Sequence, residues 1–268
     1  MLRTRVIVGA LLGVGAVLVI VAGRWVYFAV MLLVAIVALN EFLRITRSYH
    51  PFALAGYVSM IVMLWCAWFR SPLGVLACVA LAVLLTFIMG AWSGPKPGVT
   101  ARMAITLLGT LYVGLGFGHL LLMRRLPGDL GMALVLAVVF GTWAGDTFAY
   151  FVGKFFGTTP MAPRLSPKKT WEGFAGGVLG TVLVVVLIGL FTTQLTPSQS
   201  LLIGLTIAVV GPLGDLFESL VKRDVDVKDA GHMLPGHGGV LDRFDALLFC
   251  AVAVFYVATG LLNFTLPA

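Results

Sequence analysis

The sequence predicts an all-α fold, a polytopic integral membrane helical bundle with about nine transmembrane helices. Three observations predict it. Hydrophobic residues fill 60% of the 268 positions and charged residues only 11%, against roughly 25% in a soluble domain. The mean hydropathy is +1.06, and a water-soluble fold of this length cannot hide that much apolar surface. The apolar residues also gather in long runs rich in Leu, Val, Ala and Gly, without the ten-residue alternation of a membrane barrel.

In chain order the runs fall near 6–23, 25–43, 52–69, 72–92, 103–123, 130–152, 173–193, 199–216 and 244–263. Most are long enough to cross a ~30 Å hydrocarbon core as helix. The first two meet at Gly23-Arg24, as either a tight hairpin or one broken element. The first also resembles a signal peptide, with Arg3 and Arg5 ahead of it. Its length and the lack of a clear small-residue cleavage site before Arg24 favour a retained span. No low-complexity stretch or long linker interrupts the chain, so residues 1–268 read as a single membrane domain. Residues 1–140 carry spans of generic character and 141–268 carry the chemistry.

Of the 18 Lys and Arg residues, 14 lie at the N-terminus and in the loops near 44–50, 93–102, 153–170 and 217–243. The other four, Arg24, Arg70, Arg124 and Arg125, fall on the opposite side. Basic residues concentrate on the cytoplasmic side of membrane proteins, so both long polar loops are expected in the cytoplasm of a cell inner or plasma membrane. The net charge of +7 then speaks for anionic lipid headgroups, and nucleic acid is not expected as a partner. Cys66, Cys78 and Cys250 have neither metal-site nor disulfide spacing and read as packing residues.

Acidic residues are unevenly placed. Only Glu41 and Asp129 precede residue 140, while seven acids fall between 215 and 245. Asp224, Asp226 and Asp229 fit an ordinary solvated loop. Asp146, Asp215, Asp242 and Asp245 sit at the edges of apolar runs, where an acid costs about 2.5–3.5 kcal/mol to insert. A partner, a cation or a proton path is the usual reason for such a cost; an ion pair with Lys222 or Arg243 is the structural alternative.

The segment from Gly211 to Asp245 has three chemical parts. A helix end presents Asp215, Glu218, Ser219, Lys222 and Arg223, with Asp215, Ser219 and Lys222 on one face at i, i+4, i+7. Pro235-Gly236-His237-Gly238-Gly239 is too flexible for a helix and can bring amide N–H groups to an anion. Asp242, Arg243 and Asp245 then open the last span at its N-terminal turn, where the helix dipole favours anions. Carboxylates beside Lys and Arg suit Mg²⁺-phosphate chemistry, and no Cys/His set has zinc spacing. A second constellation runs from Gly141 to Gly157 and through Ser166-Pro-Lys-Lys-Thr, placing Asp146, Ser166, Lys168 and Lys169 at a membrane surface. Taken alone, that loop also fits positive-inside anchoring. No P-loop sequence is present.

From Ser219 to Asp245 the chain resembles the phosphatidate cytidylyltransferases, or CDP-diacylglycerol synthases. Their signature is Ser-x-apolar-Lys-Arg, four residues, Lys-Asp, then a His-Gly-Gly-apolar-x-Asp-Arg-apolar-Asp ending. The Ser166–Gly173 loop is similar too, and the matching segments cover about a quarter of the chain. The chain departs from the pattern in two places. Thr158, Thr159 and Pro160 stand where basic residues are common, and Ala246 stands where Ser is common.

The resemblance implies transfer of CMP from CTP to phosphatidate, giving CDP-diacylglycerol and pyrophosphate for phospholipid biosynthesis. It implies Asp215, Asp242, Lys222, Arg223 and Asp245 as catalytic, with Asp215 and Asp242 holding Mg²⁺ and leaving room for a second metal ion. Substrate binding falls to Ser166, Lys168, Lys169, Ser219, His237, Gly238, Gly239, Arg243 and Asp146. His237 has a structural reading of equal weight, fixing the turn. Glu172 is expected to cap its helix or to pair with Lys168 at i, i+4. His232 is a weaker candidate, and His50 and His119 read as loop or packing residues. Gly176, Gly177 and Gly180 would let helices approach closely around the site; Gly-rich spans permit a homodimer without requiring one. The main rival class is an ion-coupled transporter, but its paired halves are not visible. A sister enzyme acting on an isoprenoid ether lipid phosphate is not separable by motif.

Overall fold

A computed structural model describes residues 2–70, 72–231 and 238–266. Nine α-helices run through the described residues, one for each apolar run. They are α1 (Leu2–Val21), α2 (Arg24–Ile45), α3 (Ala53–Phe69), α4 (Pro72–Ser93), α5 (Val99–Arg124), α6 (Leu130–Phe156), α7 (Trp171–Thr192), α8 (Pro197–Asp224) and α9 (Leu241–Tyr256). A π-helical turn, Val257–Leu261, extends α9. The first two runs are separate helices, broken at Gly23, whose φ of 114° is one that L side chains rarely adopt.

Among the described residues seven helices are long and apolar enough to cross a membrane: α2, α4, α5, α6, α7, α8 and the Leu241–Leu261 stretch. The protein is an integral membrane protein. Two of the nine runs fall outside this count, α3 for its length. Helix α3 has 17 residues, about 26 Å at ~1.5 Å per residue, just short of a ~30 Å core. Helix α1 lies outside the count, and many of its side chains are outside the described residues.

The chain divides into two compact units. One comprises Met1–Leu122 with Asp224–Phe244; the other comprises Met123–Arg223 with Asp245–Ala268. In the first, the α2–α3 loop is tied down by polar groups inside an apolar setting. The Phe52 amide donates to Thr106 Oγ1 at 2.8 Å, and Arg102 Nε donates to the His50 carbonyl at 2.7 Å. Phe28 stacks on Trp68 at 5.5 Å, with the Arg24 guanidinium 5.9 Å from the same indole. Tyr49 donates to Asp224 Oδ2 at 2.7 Å. That bond and the carboxylate's charge push the Tyr49 phenol above its ordinary range. Asp224 is thereby an exposed acid at the last residue of α8, with a partner 175 residues away in sequence.

The second unit is built on α6 and α7. Their close approach follows from glycines on the α7 face. A Cβ on Gly176 would strike Val152, and one on Gly180 would strike Phe148, so only the bare backbone lets the two helices nest. Thr181 Oγ1 closes the contact by donating to the Gly141 carbonyl at 3.1 Å.

Between α6 and α7 the sequence reading expected only a loop. The structure has an antiparallel pair there, β1 (Pro160–Ala162) and β2 (Ser166–Thr170). Thr170 ends β2 and caps α7, its hydroxyl accepting from the Gly173 amide at 3.1 Å. The cap fixes where the strand stops and the membrane helix starts, and so where Lys168 and Lys169 emerge.

Candidate active site

The second unit encloses a pocket of about 320 Å³, at the small end of the range typical of small-molecule sites. Three elements supply its charged groups: Asp146 from α6, Lys168 and Lys169 from β2, and Asp215 from α8. Gly145, Gly173, Gly177 and Gly211 line it with backbone. Asp215 Oδ2 is ion-paired with Lys169 Nζ, both side chains being partly exposed. The sequence had offered Lys222 as the basic neighbour on the helix face of Asp215. Lys222 instead pairs with the buried Glu218 one turn away at 3.4 Å, and the ammonium on Asp215 comes from the hairpin.

Helix α8 continues through Pro212, whose ring carries no N–H, and Pro212 and Ala208 both line the pocket. Below Asp215, α8 packs tightly on α9. A Cβ on Gly214 would lie 2.6 Å from the Asp245 carbonyl oxygen and 3.0 Å from Ala246 Cα. Asp245 Oδ1 accepts from the Ala246 amide at 2.7 Å, and Asp215, Glu218 and Lys222 are its electrostatic neighbours.

Gly238, Gly239, Asp242 and Arg243 lie in the first unit. Asp242 Oδ2 accepts from the Ala230 amide at 2.9 Å and from the Gly239 amide at 2.8 Å. Gly238 has φ 78°, and a Cβ there would sit 2.9 Å from the same oxygen. Arg243 is exposed in the first turn of α9. His237 and the weaker candidate His232 lie outside the described residues.

The site residues thus fall in two groups. Asp146, Lys168, Lys169 and Asp215 share the pocket, and Gly238, Gly239 and Asp242 share the turn into α9. Ser219, Lys222 and Arg223 continue α8 beyond Asp215, and Asp245 packs against that helix. Ser166 opens β2.

The profile of the cytidylyltransferase family matches residues 3–261. The chain belongs to the cytidylyltransferase family. Among relatives of this cytidylyltransferase are proteins named phosphatidate cytidylyltransferase from three bacteria. The one from Mycobacterium bovis is 32% identical over 280 residues, covering 96% of this chain and 88% of its own. That from Bacillus subtilis is 31% identical, with 96% and 97% covered. That from Synechocystis is 33% identical, with 97% of each covered.

One expectation within the cytidylyltransferase motifs is corrected. Glu172 does not pair with Lys168. Lys168 lies on strand β2 and Glu172 in the first turn of α7, so i, i+4 spacing does not put them on one helix face. The Glu172 carboxylate accepts instead from the amides of Thr158 and Thr159, each at 3.2 Å, and from Thr158 Oγ1 at 2.8 Å. Thr158 and Thr159 therefore tie the start of the hairpin to α7.

One residue at the loop went unassigned in the sequence. Glu41 is 4% exposed on α2, and its Oε2 accepts from the Leu241 amide at 2.7 Å. The available signal was an isolated acid in a long apolar run, a costly placement that marks a partner.

Proposed function

We propose that this protein is a phosphatidate cytidylyltransferase, transferring CMP from CTP to phosphatidate with release of pyrophosphate. The pocket that brings Lys168 and Lys169 onto two carboxylates at the end of membrane helices carries this reading. The names of the full-length relatives support it.

A phosphate oxygen of phosphatidate attacks the α-phosphorus of CTP, and the bond to the β-phosphate breaks. The obstacle is electrostatic, since an anion approaches a more highly charged anion. Lys168 and Lys169 offset that repulsion and stabilise the departing pyrophosphate. A phosphate monoester is already nucleophilic at neutral pH, so no strong general base is needed. We assign Ser166, Ser219, Lys222, Arg223 and Arg243 to the phosphates of the two substrates, and His237, Gly238 and Gly239 to substrate binding as well.

The donor chemistry suits Mg²⁺. That ion takes one or two carboxylates and completes its shell with water and substrate phosphate, and Asp146 and Asp215 line one pocket. Among the described residues no group of three or more His, Cys, Asp and Glu could hold a metal ion by itself. Asp215 would hold it, with Asp146 and Asp245 as neighbouring carboxylates. Asp242 remains our candidate for a second metal contact, although its Oδ2 already serves two amides. When bound, the ion neutralises phosphate charge. We place the pocket on the cytoplasmic side, where CTP is available, while the diacyl chains stay in the bilayer; the chain works as one membrane domain.

The test is an assay in detergent micelles with CTP labelled at the α-phosphorus, phosphatidate and Mg²⁺. Label should pass into the lipid phase, stop on chelation and resume when Mg²⁺ is restored. An isoprenoid lipid phosphate should neither accept the label nor compete. Label transfer to the isoprenoid acceptor alone, or no transfer from well-folded protein, would refute the assignment.

A further inference from the structure

Glu41 lies 200 residues in sequence from the amide that it binds, as the one acid on a mainly apolar helix. An ionisable group in such a helix is rare because it is costly to insert. Its surroundings show what it holds. Oε2 accepts from the amide of Leu241, the first residue of α9. The α-carbons of Gly231 and Gly239 abut the same carboxylate. A Cβ on Gly231 would strike Glu41 Oε1, and one on Gly239 would lie 2.6 Å from Oε2. These two glycines flank the segment that contains His237 and Gly238. Asp242 gathers the neighbouring amides of Ala230 and Gly239 from the other direction. Two carboxylates therefore gather the amides of Ala230, Gly239 and Leu241 at the start of α9.

We infer that Glu41 is a positioning residue for Gly239 and the start of α9. Its carboxylate sets where Gly239 and the N-terminus of α9 lie, and its bulk is the reason residues 231 and 239 are glycines. The inference rests on the proposed reaction for its kinetic consequence but not for its structural one. Glu41 does not touch substrate; it acts through the backbone that does.

Two readouts on the full-length protein in micelles separate this from a general contribution to folding. The first is amide hydrogen exchange of peptides covering 228–243, which needs no activity. Glu41→Ala should lose at least tenfold protection there while peptides elsewhere keep theirs. Glu41→Gln retains an oxygen for the Leu241 amide and should stay within about threefold. The second readout is the rate of CMP transfer. Glu41→Ala should lower kcat about 30-fold or more, and Glu41→Gln less than tenfold.

Gly231→Ala should be similarly slow, and adding Glu41→Asp should recover at least fivefold, because the shorter side chain vacates the space the new methyl needs. A merely structural role would make the double variant worse than either single one. Unchanged exchange at 228–243 in Glu41→Ala, exchange loss spread evenly over the protein, or no recovery in the double variant would overturn the inference. Where Glu41→Ala does not fold, the Gln variant and the double variant decide. Exchange effects as expected, in a protein that transfers no CMP, would retain the positioning role and defeat the proposed reaction instead.

Discussion

Asp215→Asn is expected to lower kcat for CMP transfer by about 10²–10³-fold, the usual scale for losing one electrostatic element of a reaction site, with the protein still folded. The substitution is nearly isosteric, so the tight packing of Gly214 on Asp245 and Ala246 is left alone. It removes the negative charge that holds the Lys169 ammonium and that would bind the metal. Because α8 brings Asp215 into the pocket as part of a continuous helix, no loop movement can bring in a substitute. The check is kcat at saturating CTP and Mg²⁺, with elution from size exclusion as the control for folding. A folded variant within threefold of wild type would remove Asp215 from the site.

Lys169→Met should cost about as much, and the cost should appear in rate rather than in stability. The Lys169–Asp215 pair is partly exposed, with side chains 24% and 35% accessible. Such pairs contribute only about 0–1 kcal/mol to folding, so the melting temperature should move by a few degrees at most. In the reaction the same ammonium faces charge that develops on the departing pyrophosphate, where a fixed cation is worth far more than in water. Methionine keeps the aliphatic stem and removes only the charge. Lys169→Arg should rescue poorly, because a planar fork does not occupy the place of a compact ammonium. A Met variant that melts much earlier but turns over normally would show that the pair is structural.

Much of the fold was legible because membrane helices announce themselves by composition. Each apolar run became a helix, and the break at Gly23-Arg24 was visible before any coordinates. The number of spans was less so, since 17 residues at Ala53–Phe69 look the same as 20 in a hydropathy profile. The hairpin at 160–170 was hidden. A five-residue strand reading Ser-Pro-Lys-Lys-Thr has little β preference, and its pairing depends on the Thr170 cap and on Glu172 binding Thr158 and Thr159.

Within the site, the membership of Asp146, Lys168, Lys169 and Asp215 could be named from motifs, and the pocket unites them. Which charges pair could not be. Helical periodicity offers Lys222 to Asp215, whereas the actual partner arrives from another element 46 positions away in sequence. Asp242 drew attention as a metal ligand, and the hydrogen bonds it accepts from Ala230 and Gly239 have no local signature. Glu41 is the clearest case. Its chemistry is a contact across 200 residues, which neither periodicity nor spacing encodes.

Photolabelling with an azido-CTP, followed by mass spectrometry of the labelled peptides, would show where the nucleotide sits. With the wild-type protein in micelles containing Mg²⁺ and phosphatidate, the label should fall on peptides from 142–150, 161–181 or 207–215. Excess CTP should abolish it. Specific labelling confined to other parts of the chain would contradict the assignment of this pocket to CTP.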